Sequence, residues 1–224
     1  MYWKDEGYLL SKTNYSENSI IIEAFTLKHG KCSGIVYGGN SRKQKKNYQI
    51  GNKISLNWKS KGENKVGYFN IELINPILPI YFDNKKKSSS IISAISILKI
   101  LLPESQTNEK IYHIFEDFLK ELKNNNWICS YILWELTLIK ELGFETNFLN
   151  LNNPVKQISE SIQINNKSFK IPALLQNKNK VKFSDHEIRE ALIFNRNLLM
   201  ENFINPNKLR FPVYRNLLEK YYNT

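Results

Sequence analysis

The chain has 224 residues, a mass of 26.4 kDa, 42% hydrophobic residues, a formal net charge of +11 and an isoelectric point near 9.4. That is an ordinary globular composition, with apolar content for one large core or two to three small ones, and its basic balance fits a polyanionic partner. Its two cysteines, Cys32 and Cys129, stand far apart without a CxxC or Cys/His pattern, which excludes a disulfide framework, a zinc finger and a CxxC redox motif. Met1-Tyr-Trp-Lys-Asp-Glu6 lacks the basic start and apolar centre of a signal peptide. The longest apolar stretch, residues 91–102, is too short to cross a bilayer and is broken by Ser93, Ser96 and Lys99. A cytoplasmic protein with no membrane association is expected.

Abundant Lys, Asn and Ile with little Arg, Ala and Gly is the bias of an AT-rich genome, so the distribution of charge informs more than its sum. Residues 1–80 carry 12 basic and 6 acidic side chains, residues 81–150 carry 8 and 9, and residues 151–224 carry 12 and 6. The two ends are basic and the middle is neutral.

Up to Pro79 the apolar residues alternate or fall in short Ile, Val, Tyr and Phe runs, which predicts strands over 3–12, 19–27, 31–37, 53–59 and 65–74. Turn chemistry separates them: residues 14–18, His29-Gly30 and Lys61-Gly-Glu-Asn64. Five short strands with no crossover helix favour a small closed barrel, of the OB type first and the SH3-like type as the alternative. The fold class is therefore α+β, an all-β domain at 1–79 followed by an α-helical domain at 80–224.

Helical spacing predicts helices over 88–102, 111–122 and 127–142, which read as a compact bundle, the last apolar nearly all round and ended by Gly143. Residues 144–182 break the period, with an alternating patch at Ile162, Ile164, Phe169 and Ile171 that reads as a small hairpin. Ser184-Asp-His-Glu187 is a capping box opening another helix, and a last one follows Pro212. No internal repeat is present.

The loop joining the third and fourth strands holds Gly38-Gly39 and then Arg42, Lys43, Lys45 and Lys46 with no acidic residue among them. Cations so close repel unless they are solvated or met by an anion, so the loop is either a solvated tip or a phosphate clamp. As a clamp it would act with Lys31, Lys59, Lys61 and Lys65. Aromatics interleave with these lysines. Tyr37, Trp58 and Tyr68 are candidates for base stacking beside Tyr48 and Phe69, although alternation turns about half of such positions into the core. Lys85-Lys-Lys87 reads as a hinge before a helix capped by Ser88-Ser-Ser90. His29, His113 and His186 lie in no nucleophile arrangement, and HExxH, GxSxG and P-loop motifs are absent, so no enzyme activity and no catalytic residue is expected. Glu116, Asp117 and Glu121 read as a solvated helix face.

The ordered set Tyr15-Ser-Glu-Asn-Ser19, His29-Gly30-Lys31, Gly34, Gly38, Gly51-Asn-Lys-Ile-Ser-Leu-Asn-Trp58, Leu101-Leu-Pro-Glu104, Tyr112, Trp127, Glu135-Leu136, Glu141-Leu-Gly-Phe144 and Ile171-Pro-Ala-Leu-Leu175 resembles the RecO family of bacterial recombination mediators over essentially the whole chain. The resemblance implies an OB-fold that binds single- and double-stranded DNA, joined to a helical domain that docks the acidic, apolar C-terminal tail of single-strand binding protein (SSB). It implies strand annealing, and loading of RecA with the help of RecR, without cofactor turnover. For the SSB tail the basic C-terminal third offers Lys178, Lys180, Lys182, Arg189 and Arg196. Many members carry a four-cysteine zinc site after the Gly-Phe motif. Residues 147–170 have no cysteine, so no metal is expected here. Two other classes compete: a protein-interaction adaptor whose basic loop is incidental, and a metal-dependent nuclease using scattered carboxylates.

Overall fold

A computed structural model of the protein describes residues 1–42, 44, 47–60, 62, 67–144, 161–165, 167–176 and 182–223. The chain divides into two compact units, Met1–Tyr112 and His113–Thr224.

The first unit is built on five strands: β1 Tyr2–Ser16, β2 Ser19–Thr26, β3 Gly30–Tyr37, β4 Lys53–Lys59 and β5 Tyr68–Asn75. They form a closed barrel in the order β1-β2-β3-β5-β4, with β4 returning to β1. Every pairing is antiparallel except β3 with β5, which meet in parallel at Ile35 and Tyr68. This is the OB arrangement, and the SH3-like alternative is set aside. Closure depends on β1, whose first half pairs with β4 and whose second half pairs with β2. Register shifts between Leu9 and Ser11 and between Asn14 and Ser16 bend it from one neighbour to the other, as bulges do in small barrels.

Alternation along the strands sends Leu9, Ile20, Ile22, Ala24, Val36, Ile54, Leu56, Phe69 and Ile71 inward, with Tyr48 from the β3–β4 connection and the flanks of Trp3 and Trp58. The β2–β3 turn is held by the buried Asp5 carboxylate, which accepts from the backbone N–H of Glu6 and Lys28 at 2.9 and 2.8 Å and pairs with His29 Nδ1 at 2.8 Å.

Helix α1, Lys85–Leu101, belongs to the same unit and buries Ile91, Ala94, Ile95 and Leu98. Tyr112 packs its ring 5.5 Å from both Tyr8 and Phe25. The expected start of α1 is corrected. Asn84, not Ser88 to Ser90, is the N-cap, its side chain accepting from the Lys87 N–H at 3.0 Å. The hydroxyls of Ser88 and Ser90 donate instead to the carbonyls of Asn84 and Lys87, a habit of serine inside helices. Lys85, Lys86 and Lys87 thus form a helical turn rather than a hinge.

In the second unit α3, Trp127–Glu141, is followed by a hairpin of β6, Ser161–Ile164, and β7, Lys167–Lys170, and by α4, Ala173–Gln176, a short turn that the sequence reading left out. Helix α5, Asp185–Leu199, carries the expected reciprocal Ser184–Glu187 capping box and runs into a π-helical turn at Met200–Ile204. Helix α6, Val213–Lys220, starts after Pro212. The preceding helix α2, Glu109–Glu121, contains the boundary between the units.

Phe115, Phe118, Tyr131 and Trp134 form an aromatic cluster with neighbouring centroids 5.4 to 6.2 Å apart. Beside it lies a fully buried ion pair, Arg215 Nε to Glu135 Oε1 at 2.5 Å. Tyr131 donates to Glu135 at 2.7 Å, Asn195 Nδ2 donates to Glu135 at 3.1 Å, and Arg215 Nη2 donates to the Leu192 carbonyl at 2.6 Å. Burial works against the Arg215 charge, but the Glu135 carboxylate, with Tyr131 and Glu219, outweighs it and holds the guanidinium pKa above its usual value.

Candidate nucleic-acid interface

The chain turns out of β3 at Gly38, whose φ of +71° suits glycine and strains other residues. Beyond it the Ser41 N–H donates to the Gly38 carbonyl and the Gln44 N–H to the Ser41 carbonyl. The far end is tied down by the Asn52 amide, which donates to the Asn47 carbonyl at 3.1 Å, and by Tyr48, 4% exposed in the core. Arg42 is exposed, while Lys43, Lys45, Lys46, Lys61 and Lys65 lie outside the described residues. The two remaining barrel lysines differ. Lys31 Nζ donates to the Lys99 carbonyl in the last turn of α1 at 3.1 Å, a contact the helix dipole favours. Lys59 is exposed, its Nζ 5.6 Å from the centroid of the Tyr2 ring.

Strand parity sorts the aromatic candidates. Trp58 faces the core side, stacked on Trp3 at 5.5 Å, and Trp3 in turn stacks on His29 at 4.0 Å. Gly67 lies so close to Trp58 that a Cβ there would come within 2.1 Å of the indole. Tyr37 and Tyr68 face outward with centroids 6.1 Å apart, on the same wall as Tyr2, Asn57, Lys59 and Asn70. The sequence reading missed Tyr2, Asn57 and Asn70. Period-two parity puts Asn57 on the face of Lys59 and Asn70 on that of Tyr68, but only the strand register makes them neighbours.

In the helical unit a groove of about 560 Å³ runs between the hairpin, α4 and α5. Ile171, Pro172 and Phe194 are among its apolar lining, and Lys170, His186 and Arg189 add basic groups. The Arg189 Nε is buried without a hydrogen-bond partner among the described residues. Glu190 also reaches the groove. Arg196 is held at 3.1 Å by Glu219, Lys182 is exposed, and Lys178 and Lys180 lie outside the described residues.

Burial pushes the Cys32 thiol up to about 12 and raises Cys129 as well, so neither supplies a thiolate at neutral pH. No group of three His, Cys, Asp or Glu among the described residues could hold a metal. Among the described residues no helix is long and apolar enough to cross a membrane.

The N-terminal model of recombination protein O matches residues 1–77, which contain the barrel, and its C-terminal model matches residues 86–150, which contain α1 to α3. The chain is 35% identical over 147 residues to the DNA repair protein RecO of Wolbachia pipientis subsp. Culex pipiens (strain wPip), covering 65% of this chain and 60% of that protein. It is 34% identical over 146 residues to the RecO of Ehrlichia chaffeensis (64% and 59%) and 31% identical over 142 residues to that of Cereibacter sphaeroides strain ATCC 17025 (63% and 60%). The chain thus spans about 60% of the length of the curated relatives it matches. With both halves of one family matched in order, on a barrel of OB topology followed by helices, the chain belongs to the recombination protein O family.

Proposed function

We propose that this protein is a cytoplasmic DNA-repair and recombination mediator. It binds single- and double-stranded DNA without sequence preference, anneals complementary strands, and with RecR helps RecA replace SSB on single strands. The observation that carries the reading is the match of both family models, in order, to the barrel and to the helices. The mechanism is electrostatic rather than catalytic. Arg42, Lys43, Lys45, Lys46, Lys59, Lys61 and Lys65 neutralise phosphates, and a surface that neutralises two backbones at once lowers the repulsion that opposes pairing. Lys31, committed to α1, contributes field rather than a contact.

Fluorescence anisotropy of a labelled single-stranded oligonucleotide across a salt series tests this. Log K is expected to fall with log salt at a slope of about −3 or steeper, as roughly four phosphate contacts require. Replacing Arg42, Lys43, Lys45 and Lys46 with alanine is expected to flatten that slope; no binding by the unmodified protein at moderate salt would put the adaptor reading ahead.

The groove around Arg189 supports docking of the SSB tail, since its apolar floor suits apolar side chains and its basic groups suit acidic ones. Arg189→Ala is expected to weaken binding of an SSB-tail peptide by about tenfold or more, the loss of one charge-assisted hydrogen bond. Unchanged affinity in a titration would remove Arg189 from that role.

A further inference from the structure

The outward wall formed by β1, β4, β5 and the end of β3 carries a recess. Among the described residues it is lined by Tyr2, Tyr37, Asn57, Lys59, Tyr68 and Asn70, with Phe69 at its base, and has a volume of about 680 Å³. Strand pairing assembles it: Tyr2 stands opposite Lys59, Lys59 opposite Tyr68, and Asn57 opposite Asn70. Their neighbours in sequence, Trp3, Trp58 and Phe69, turn their side chains toward the core.

The recess offers three kinds of contact in one place. Tyr37 and Tyr68 present ring faces 6.1 Å apart and inclined at 54°, and Tyr37 is 68% exposed, so its ring adds little to the core. At the centre the Asn57 amide oxygen accepts from the Tyr2 hydroxyl at 3.2 Å, which leaves its NH₂ group to donate. The neighbouring Asn70 amide makes no hydrogen bond among the described residues and can both donate and accept. At the edge, the Lys59 ammonium rests over the Tyr2 ring.

We infer that this recess holds one unpaired nucleobase of a bound single strand. The base lies against Tyr37 and Tyr68, its polar edge meets the Asn57 and Asn70 amides, and the adjoining phosphate meets Lys59. The inference rests on the nucleic-acid reading above and deepens it. An apolar peptide side chain would leave both amides facing a group that cannot bond them, and an acidic one would use Lys59 but leave the tyrosine faces idle. A base with its phosphate uses all three. A base inside a duplex cannot enter, because its faces are stacked and its edge is paired. The site therefore holds the substrate of annealing and releases the product.

The test compares two labelled oligomers of equal length and phosphate number, an oligothymidylate and one with abasic sugars at its central positions, by anisotropy with the full chain. The unmodified protein is expected to prefer the oligothymidylate by about fivefold or more, the lower end of one stacked base. The Tyr37→Ala/Tyr68→Ala variant is expected to bind both equally, at the affinity the unmodified protein has for the abasic oligomer and with the same salt slope. If that variant fails to fold by circular dichroism, Tyr37→Ala alone serves, and the comparison of the two oligomers on the unmodified protein needs no variant. Equal affinity of the unmodified protein for both oligomers, with a normal salt slope, overturns the base site and leaves the DNA reading standing. Failure to bind either overturns both, and a preference that survives in the folded variant places base recognition elsewhere and overturns this site.

Discussion

The barrel and the helical unit solve the same packing problem with opposite chemistry. The principal core cluster of the barrel is apolar and contains no charged side chain. The helical unit places Arg215, Glu135 and Asn195, each 0% exposed, where α3, α5 and α6 converge. A sheet fixes the rotation of each strand through its hydrogen-bond ladder, so an apolar interior is enough. A helix satisfies its own backbone and can roll about its axis against an apolar neighbour. A two-pronged contact between guanidinium and carboxylate removes that freedom, because it forms in only one orientation.

The largest effect that would break this contrast is expected from Arg215→Met. It leaves Glu135 buried and unpaired and should cost about 3–5 kcal/mol. Hydrogen exchange read by mass spectrometry should show lost protection in α3, α5 and α6 with the strands unchanged. Adding Glu135→Leu should restore much of the loss, and no recovery would mean that the pair contributes more than charge compensation. Next in size, Leu56→Ala opens a cavity at a fully buried barrel position and should cost about 3 kcal/mol, with protection lost in β1 to β5 instead.

The smallest effect sharpens the contrast, since it concerns a carboxylate at the barrel's surface. Partial burial raises the Glu23 pKa, but a hydrogen bond from Ser11 and the Lys99 ammonium at 2.9 Å outweigh it, and the folded value lies below the usual one. A depressed carboxylate pKa stabilises above the unfolded value and ceases to do so as pH falls through the folded one. Glu23→Gln should therefore cost at most about 1 kcal/mol at neutral pH. In urea titrations the gap to the unmodified protein should close as pH falls below the ordinary Glu value of about 4.3. A gap that persists at low pH would assign the loss to packing.

Much of the barrel was legible because period-two alternation is a local signal: five strands were placed, three of them to within about a residue at either end. The capping box at Ser184 and the proline before α6 were local signals of the same kind. What escaped was non-local. The apolar face of α1 reads alike whether it meets a helix or a barrel, so helical periodicity alone does not distinguish a bundle of α1 to α3 from the compact unit that joins α1 to the strands. Asn84 stood one residue before a lysine run that argued against a helix start. Arg and Glu are types that ordinarily stay at the surface, and only the meeting of Arg215 with Glu135 across 80 positions makes them interior. The outward recess escaped for a related reason, since Asn57 and Asn70 become a pair through register alone.

The seam between β3 and β5 has a consequence for motion. Among the described residues it holds one paired position, Ile35 with Tyr68, and the Ile35 N–H donates to the Gly67 carbonyl at 3.0 Å. A ring of strands is most easily parted where fewest bonds cross, so local opening should begin here. Tyr37 and Tyr68 stand on opposite sides of that seam. Anything that lies across both tyrosines acts as a clasp on the barrel, and its binding energy appears as resistance of the Ile35 amide to exchange with solvent.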